Sequence, residues 1–185
     1  MLKDIKNFSI LCMLLFANNS NAGERFLNEV LQDKIVLKGL EDITKMRHYA
    51  ADMLINFGGI ISPSGKEHER AKAVAEEMRK IGLVEVRVNA APNVIGVIKG
   101  RSGKALIFVS TLDDLKTVAE NQRAAGMPPY VDGNFVRGPG TNTSLTTVSL
   151  ITAAKALIDS GLVPEHDIVF DGVSEEETGL QGMKH

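Results

Sequence analysis

The chain has 185 residues, 44% hydrophobic and 24% charged, which suits one soluble globular domain and excludes a disordered or fibrous chain. Twenty-one Lys and Arg against 23 Asp and Glu leave a formal charge of −2, so no basic excess argues for nucleic acid or an anionic membrane. With no Trp, two Tyr and one cysteine (Cys12), the sequence argues against aromatic stacking platforms, a disulfide framework, a cysteine nucleophile and a cysteine zinc site.

In chain order, Lys3 and Lys6 give a positive start and Phe8 to Ala17 is an apolar run. A polar stretch ending Ser20-Asn21-Ala22 follows, which is the layout of a secretory signal cleaved after Ala22. The run is too short for a permanent span, which takes about 20 apolar residues. A lipoprotein signal fits less well because Leu11 precedes Cys12 where a small residue is needed. The expectation is an exported protein, periplasmic or secreted, with residues 1–22 removed, residues 23–185 forming the mature part and no membrane association after removal.

Apolar residues then recur at helical spacing from Glu24 to about Phe57 (Leu27, Val30, Leu31, later Ile43, Met46, Ala50, Leu54), until Gly58-Gly59 breaks the pattern. Ser62-Pro63-Ser64-Gly65 reads as a turn, and Ser64 with Glu67 as a capping box for the next helix. That helix places Ala71, Val74, Ala75, Met78 and Ile81 on one face and stops at Gly82. Val84, Val86 and Val88 alternate with charged residues as in a half-exposed strand. Two further strands are expected at Val94–Ile98 and Ala105–Val109, with Gly100-Arg101-Ser102-Gly103 turning between them. The second is apolar almost throughout, as a central strand covered on both faces is. Thr146 to Ser160 is expected to be helical, ending at Gly161, and Asp167 to Val173 to be a strand. Helices interleaved with buried strands define an α/β layered domain.

In such sheets, function gathers where strands end. Three polar clusters stand at such points: Ser110-Thr111-Leu112-Asp113-Asp114, Gly138 to Ser144, and Ser174-Glu175-Glu176-Glu177-Thr178-Gly179. Taken singly, a triple Glu is ordinarily a solvated helix start and paired Asp a turn or cap. Together they offer a carboxylate cluster at one sheet edge, which is what a divalent metal needs.

These residues resemble the zinc-dependent aminoacylase, carboxypeptidase G and acetylornithine deacetylase family of metallopeptidases and amidohydrolases. The resemblance runs from about Ile43 to the end. It rests on Ser62-Pro63-Ser64-Gly65 with Glu67, Pro92-Asn93-Val94-Ile95-Gly96, Leu112-Asp113, Asp132-Gly133-Asn134 before Gly138-Pro139-Gly140, and above all Val173 to Met183. It implies a three-layer α/β/α zinc-exopeptidase-like catalytic domain, here its N-terminal portion, without the lid and dimerisation domain and the last metal ligands. It also implies one or two zinc ions, a small peptide or N-acyl amino acid as substrate, and a homodimer in the full-length protein.

Carried over residue by residue, the resemblance makes Asp113 the residue that orients a metal-binding His, but Thr111 stands at the position of that His. A bridging Asp is expected after Gly140, where Asn142 or Thr143 stands. By the Glu-Glu-Thr-Gly register Glu176 matches the general base and Glu177 a metal ligand; a register one residue earlier gives Glu175 and Glu176 instead. Asp114 is an alternative source of a ligand. His48, His68, His166 and His185 lie on helical patterns, before a strand or at the terminus, and are expected in surface or helix-face roles. Two functions follow: an exported metal-dependent hydrolase of peptide or N-acyl amide bonds with a departed metal site, or a non-catalytic relative that binds peptides or a partner protein.

Overall fold

The computed structural model describes residues 21–185, so the expected signal and Cys12 lie mostly or wholly outside the described residues. The chain divides into two compact units, Met1–Glu41 and Asp42–His185. Helices α1 (Asn21–Gln32) and α2 (Lys34–Lys45) come first, followed by α3 (Arg47–Gly59). The long helical pattern is thus three helices rather than one. At the first break the Asp33 carboxylate accepts the Ile35 N–H at 2.7 Å and caps α2. No described helix is long and apolar enough to cross a membrane.

The larger unit continues with α4 (His68–Lys80), β1 (Val84–Val88), β2 (Val94–Ile98), β3 (Ala105–Thr111), α5 (Lys116–Ala125), β4 (Tyr130–Asp132), β5 (Phe135–Arg137), α6 (Thr141–Ser160) and β6 (Asp167–Val173), then a 3₁₀ turn at Gln181–Lys184. The main sheet is mixed, in the order β1-β2-β6-β3: β2 runs antiparallel to both neighbours, and β3 runs parallel to β6. Strand β6 lies between β2 and β3, so the Gly100–Gly103 turn leads away from β2 rather than folding back on it. Strands β4 and β5 form a separate hairpin.

Alternation along the strands puts Val94, Gly96, Phe170 and Ser110 on one face. Helix α4 packs there, because a Cβ on Gly96 would meet the Met78 sulfur at 2.9 Å and Leu83 Cδ2 at 2.8 Å. Helix α6 packs there too, the hydroxyls of Thr147 and Ser110 meeting at 2.9 Å. The core joins Met53 and Phe57 of α3, Ala71, Val74, Ala75 and Met78 of α4, Val148 and Ile151 of α6, and Phe170 of β6. All five positions expected on the inner face of α4, Ala71 to Ile81, are buried.

One strand departs from expectation. Strand β3 is an edge strand whose residues Leu106 to Val109 are exposed, Ile107 to 62%. The central strand is β6, whose inward residues Ile168, Phe170 and Gly172 are buried. An apolar run records a demand for cover on both faces, and the described residues meet that demand only in part: Phe108 stacks on Phe170 at 6.0 Å, while Ile107 and Val109 face the side away from α4 and α6.

Candidate active site

Strands β3 and β6 run parallel with Thr111 opposite Val173, so both end at one edge of the sheet. The chain then turns into Leu112-Asp113-Asp114 on one side and Ser174 to Glu177 on the other. Helix α6 begins beside them. It starts five residues earlier than the sequence pattern suggested, so Asn142 and Thr143 lie in its first turn rather than in a loop. Gly140 precedes it at φ 86°, a left-handed conformation that glycine adopts without a Cβ clash. Thr147 on the second turn ties the helix to the strand end, donating to the Thr111 carbonyl at 2.7 Å.

At the centre is Asp113, with no exposed surface. Its Oδ1 accepts from the Thr111 hydroxyl at 2.6 Å and the Glu176 N–H at 3.1 Å. Its Oδ2 accepts from the Ser64 hydroxyl at 2.6 Å and the Glu177 N–H at 3.1 Å. These four donors fix the turn that carries the glutamates. A second carboxylate holds the same turn from behind. Buried Glu67 accepts from the Gly65 N–H at 2.8 Å and the Glu175 N–H at 2.9 Å, and Glu175 has the left-handed φ of 51° that few non-glycine residues adopt. Ser64 and Glu67 are therefore site residues. The capping box expected of them does not form, since Ser64 donates to Asp113 and Glu67 accepts from Glu175.

Asp114 is equally buried. Its Oδ2 accepts from Arg70 at 2.5 Å, its Oδ1 accepts from the Thr143 hydroxyl, and its N–H donates to the Ser62 carbonyl at 2.7 Å. Arg70 also donates to the carbonyls of Leu112 at 2.9 Å and Ile60 at 2.5 Å. Asp114 is thus the buried partner of Arg70 and Thr143. Asn93, from the Pro92-Asn93 motif, accepts the Ser174 N–H at 2.9 Å and donates to the Gly182 carbonyl at 2.7 Å, bracketing the glutamate turn.

The sequence pattern did not single out Arg70, although a signal was present. Arg70 lies on the same helical stripe as Val74 and Met78, and a cation on a buried stripe requires a partner.

Glu176 and Glu177 project into a cleft of about 470 Å³ that Thr111, Asn142, Thr143 and Leu180 also line. No described residue donates a hydrogen bond to either side-chain carboxylate. Desolvation raises the pKa of Glu177 above the ordinary value, and the charges of Glu176, Asp113 and Asp114 raise it further. The structure therefore brings Thr111, Asp113, Asn142, Thr143, Glu176 and Glu177 to one edge. Of the histidines, His68 opens α4 directly after Glu67, and His166 bonds to Ser102 at 2.6 Å at the far end of the sheet.

Zinc in a catalytic site takes three protein ligands and an open position. No group of three or more His, Cys, Asp or Glu among the described residues is placed to hold a metal ion. The donor chemistry explains this: Thr111 and Thr143 offer hydroxyls that already donate to aspartates, Asp113 already accepts four hydrogen bonds, and Asp114 is paired with Arg70. The described residues do not fit the zinc that the resemblance implies.

No protein-family model matches the sequence, and no curated protein matches it. Solved structures do match, and what they share with this chain is the α/β fold. Human carnosine dipeptidase 1 superposes with a TM-score of 0.63 at 15% identity, over 82% of this chain and 37% of that one. The dipeptidase Dug1p from Saccharomyces cerevisiae gives 0.61 at 15% identity, over 81% and 36%. Aminopeptidase PepT from Bacillus cereus gives 0.60 at 18% identity, over 75% and 39%. At these identities the likeness is one of fold, and the chain spans less than two fifths of the length of each of the three.

Proposed function

We propose that the protein works as a hydrolase of peptide or N-acyl amide bonds, of the metallopeptidase type. Residues 23–185 contribute its substrate cleft and a proton-accepting carboxylate, Glu176, but not a complete metal set. The observation that carries this reading is the turn after β6. Backbone N–H groups of Glu176 and Glu177 are pinned on Asp113, which leaves both side chains to line the cleft. A carboxylate held this way can take a proton from an attacking water and pass it to a leaving amine.

A second reading, a non-catalytic relative that binds peptides, is favoured by Thr111 and Thr143, whose hydroxyls are turned onto Asp113 and Asp114. The two are separated by assaying the full-length gene product against dipeptides and N-acyl amino acids. The hydrolase reading expects turnover that Glu176→Gln abolishes. Binding of the same compounds without turnover, unchanged by Glu176→Gln, establishes the second. For residues 23–185 alone the expectation is no stoichiometric zinc and no hydrolysis, and tight zinc binding by calorimetry would show that the site has been misassigned.

Export is part of the proposal, motivated by Lys3, Lys6, the apolar run Phe8 to Ala17 and the small residues before Gly23. Secreted material should begin at Gly23 on N-terminal sequencing; an intact Met1 would refute it.

A further inference from the structure

The geometry points to a site edge that holds its shape without a metal, with two threonine hydroxyls doing at Asp113 and Asp114 what metal-facing groups would otherwise do. This holds under either reading of the function, because it concerns how the edge is built rather than what it turns over.

Both aspartates have no exposed surface and follow one another one residue beyond β3. Two adjacent buried carboxylates need compensation on every side, since an uncompensated buried charge costs far more than a buried neutral group. Here compensation comes from within the chain. Asp114 receives Arg70 and the Thr143 hydroxyl; Asp113 receives no cation but the hydroxyls of Thr111 and Ser64 and two backbone N–H groups. Each threonine is held from a second direction: Thr143 sits in the first turn of α6, and Thr111 is the last residue of β3, its carbonyl taken by Thr147. Nor does any carboxylate oxygen of either aspartate remain unpartnered among the described residues; the buried orphan acid oxygens are those of Glu67 and Asp171. Thr111, at the position where the resemblance calls for a His, and Thr143, one of the two candidates for the bridging Asp, thus both donate hydroxyl protons into the buried pair, as Ser64 does to Asp113. Thr111 and Thr143 are positioning residues: they act through Asp113 on the glutamate turn and through Asp114 on the start of α6.

The test is thermal unfolding of the full chain with and without a chelator and with added zinc, alongside hydroxyl-deleting and hydroxyl-keeping variants. The wild type should show the same Tm with EDTA as with zinc. Thr143→Val leaves Asp114 Oδ1 without its donor, and Thr111→Val removes the hydroxyl from Asp113 Oδ1, leaving only the Glu176 N–H there; each should lower Tm by roughly 3–10 °C. Thr111→Ser and Thr143→Ser keep the donor and should recover most of that loss. In Thr111→Val the Glu176 and Glu177 amides should also exchange with deuterium faster, while amides in α4 keep their protection. A Tm that falls with EDTA, or serine variants no more stable than the valine ones, overturns the proposal. If Thr143→Val does not fold, the chelator comparison on the wild type and the Thr111 pair decide the matter.

Discussion

Arg70 and Asp114 are both buried and bonded at 2.5 Å, so each neutralises a charge the other cannot leave uncompensated. Removing one partner is far costlier than removing both. Arg70→Met should destabilise the chain by about 3–5 kcal/mol, and Arg70→Met with Asp114→Asn by distinctly less, as chemical denaturation would show. Asp171 makes the opposite case. Its Oδ1 is buried with no partner, and desolvation raises its pKa, with Arg87 opposing the shift. A carboxylate whose folded pKa lies above its unfolded value favours the fold while protonated, and that contribution is lost as pH rises through the folded pKa. Asp171→Asn should therefore raise Tm near pH 7, with the gain vanishing below about pH 3.9, the ordinary aspartate value. A gain that persisted in acid would assign the effect to something other than the charge. At the cleft itself, Thr111→His with Thr143→Asp should raise zinc affinity above that of either single variant in a calorimetric titration, because each restores one kind of ligand the resemblance calls for.

Elements behave according to what covers them. Asp33 interrupts an otherwise continuous helical pattern because its side chain competes for the N–H groups that begin α2. Asp33→Ala should cost about 0.5–2 kcal/mol of local helix stability, seen as faster exchange of the Ile35 and Val36 amides. Strand β3 shows the reverse problem, a well-formed element with exposed apolar residues and, among the described residues, no partner along its outer edge. Long apolar edges of this kind promote self-association. Ile107→Lys puts a charge on that edge away from the core, so light scattering of residues 23–185 should show less aggregation at an unchanged unfolding midpoint. Equal aggregation would mean that another surface drives it. The capping box at Ser64 and Glu67 fails for a related reason: the spacing suited a helix start, but two partners 49 and 108 residues away, Asp113 and Glu175, outcompete the local bonds.

At the scale of the whole molecule, local physics and assembly divide cleanly. Period and composition alone located α4 with its buried face, β1, β2, β6 and the stop at Gly161, because a helix or strand with one covered face writes its period into the chain. The three polar clusters were legible for the same reason: they interrupt apolar runs at strand ends, where an α/β sheet places its chemistry. Helix α5 and the β4–β5 hairpin were not, since ten polar-rich residues and two three-residue strands carry too little period to read. Nor could the strand order be read. Nothing local says that β6 pairs with β3 in parallel, yet that pairing is what carries Glu176 and Glu177 to Asp113. Likewise the resemblance expects a His at 111 and an Asp at 142 or 143, but says nothing of where the hydroxyls of Thr111 and Thr143 point. Only the packed chain turns them onto Asp113 and Asp114, because a buried charge takes whichever donor the fold brings within reach, however far apart the two lie in sequence.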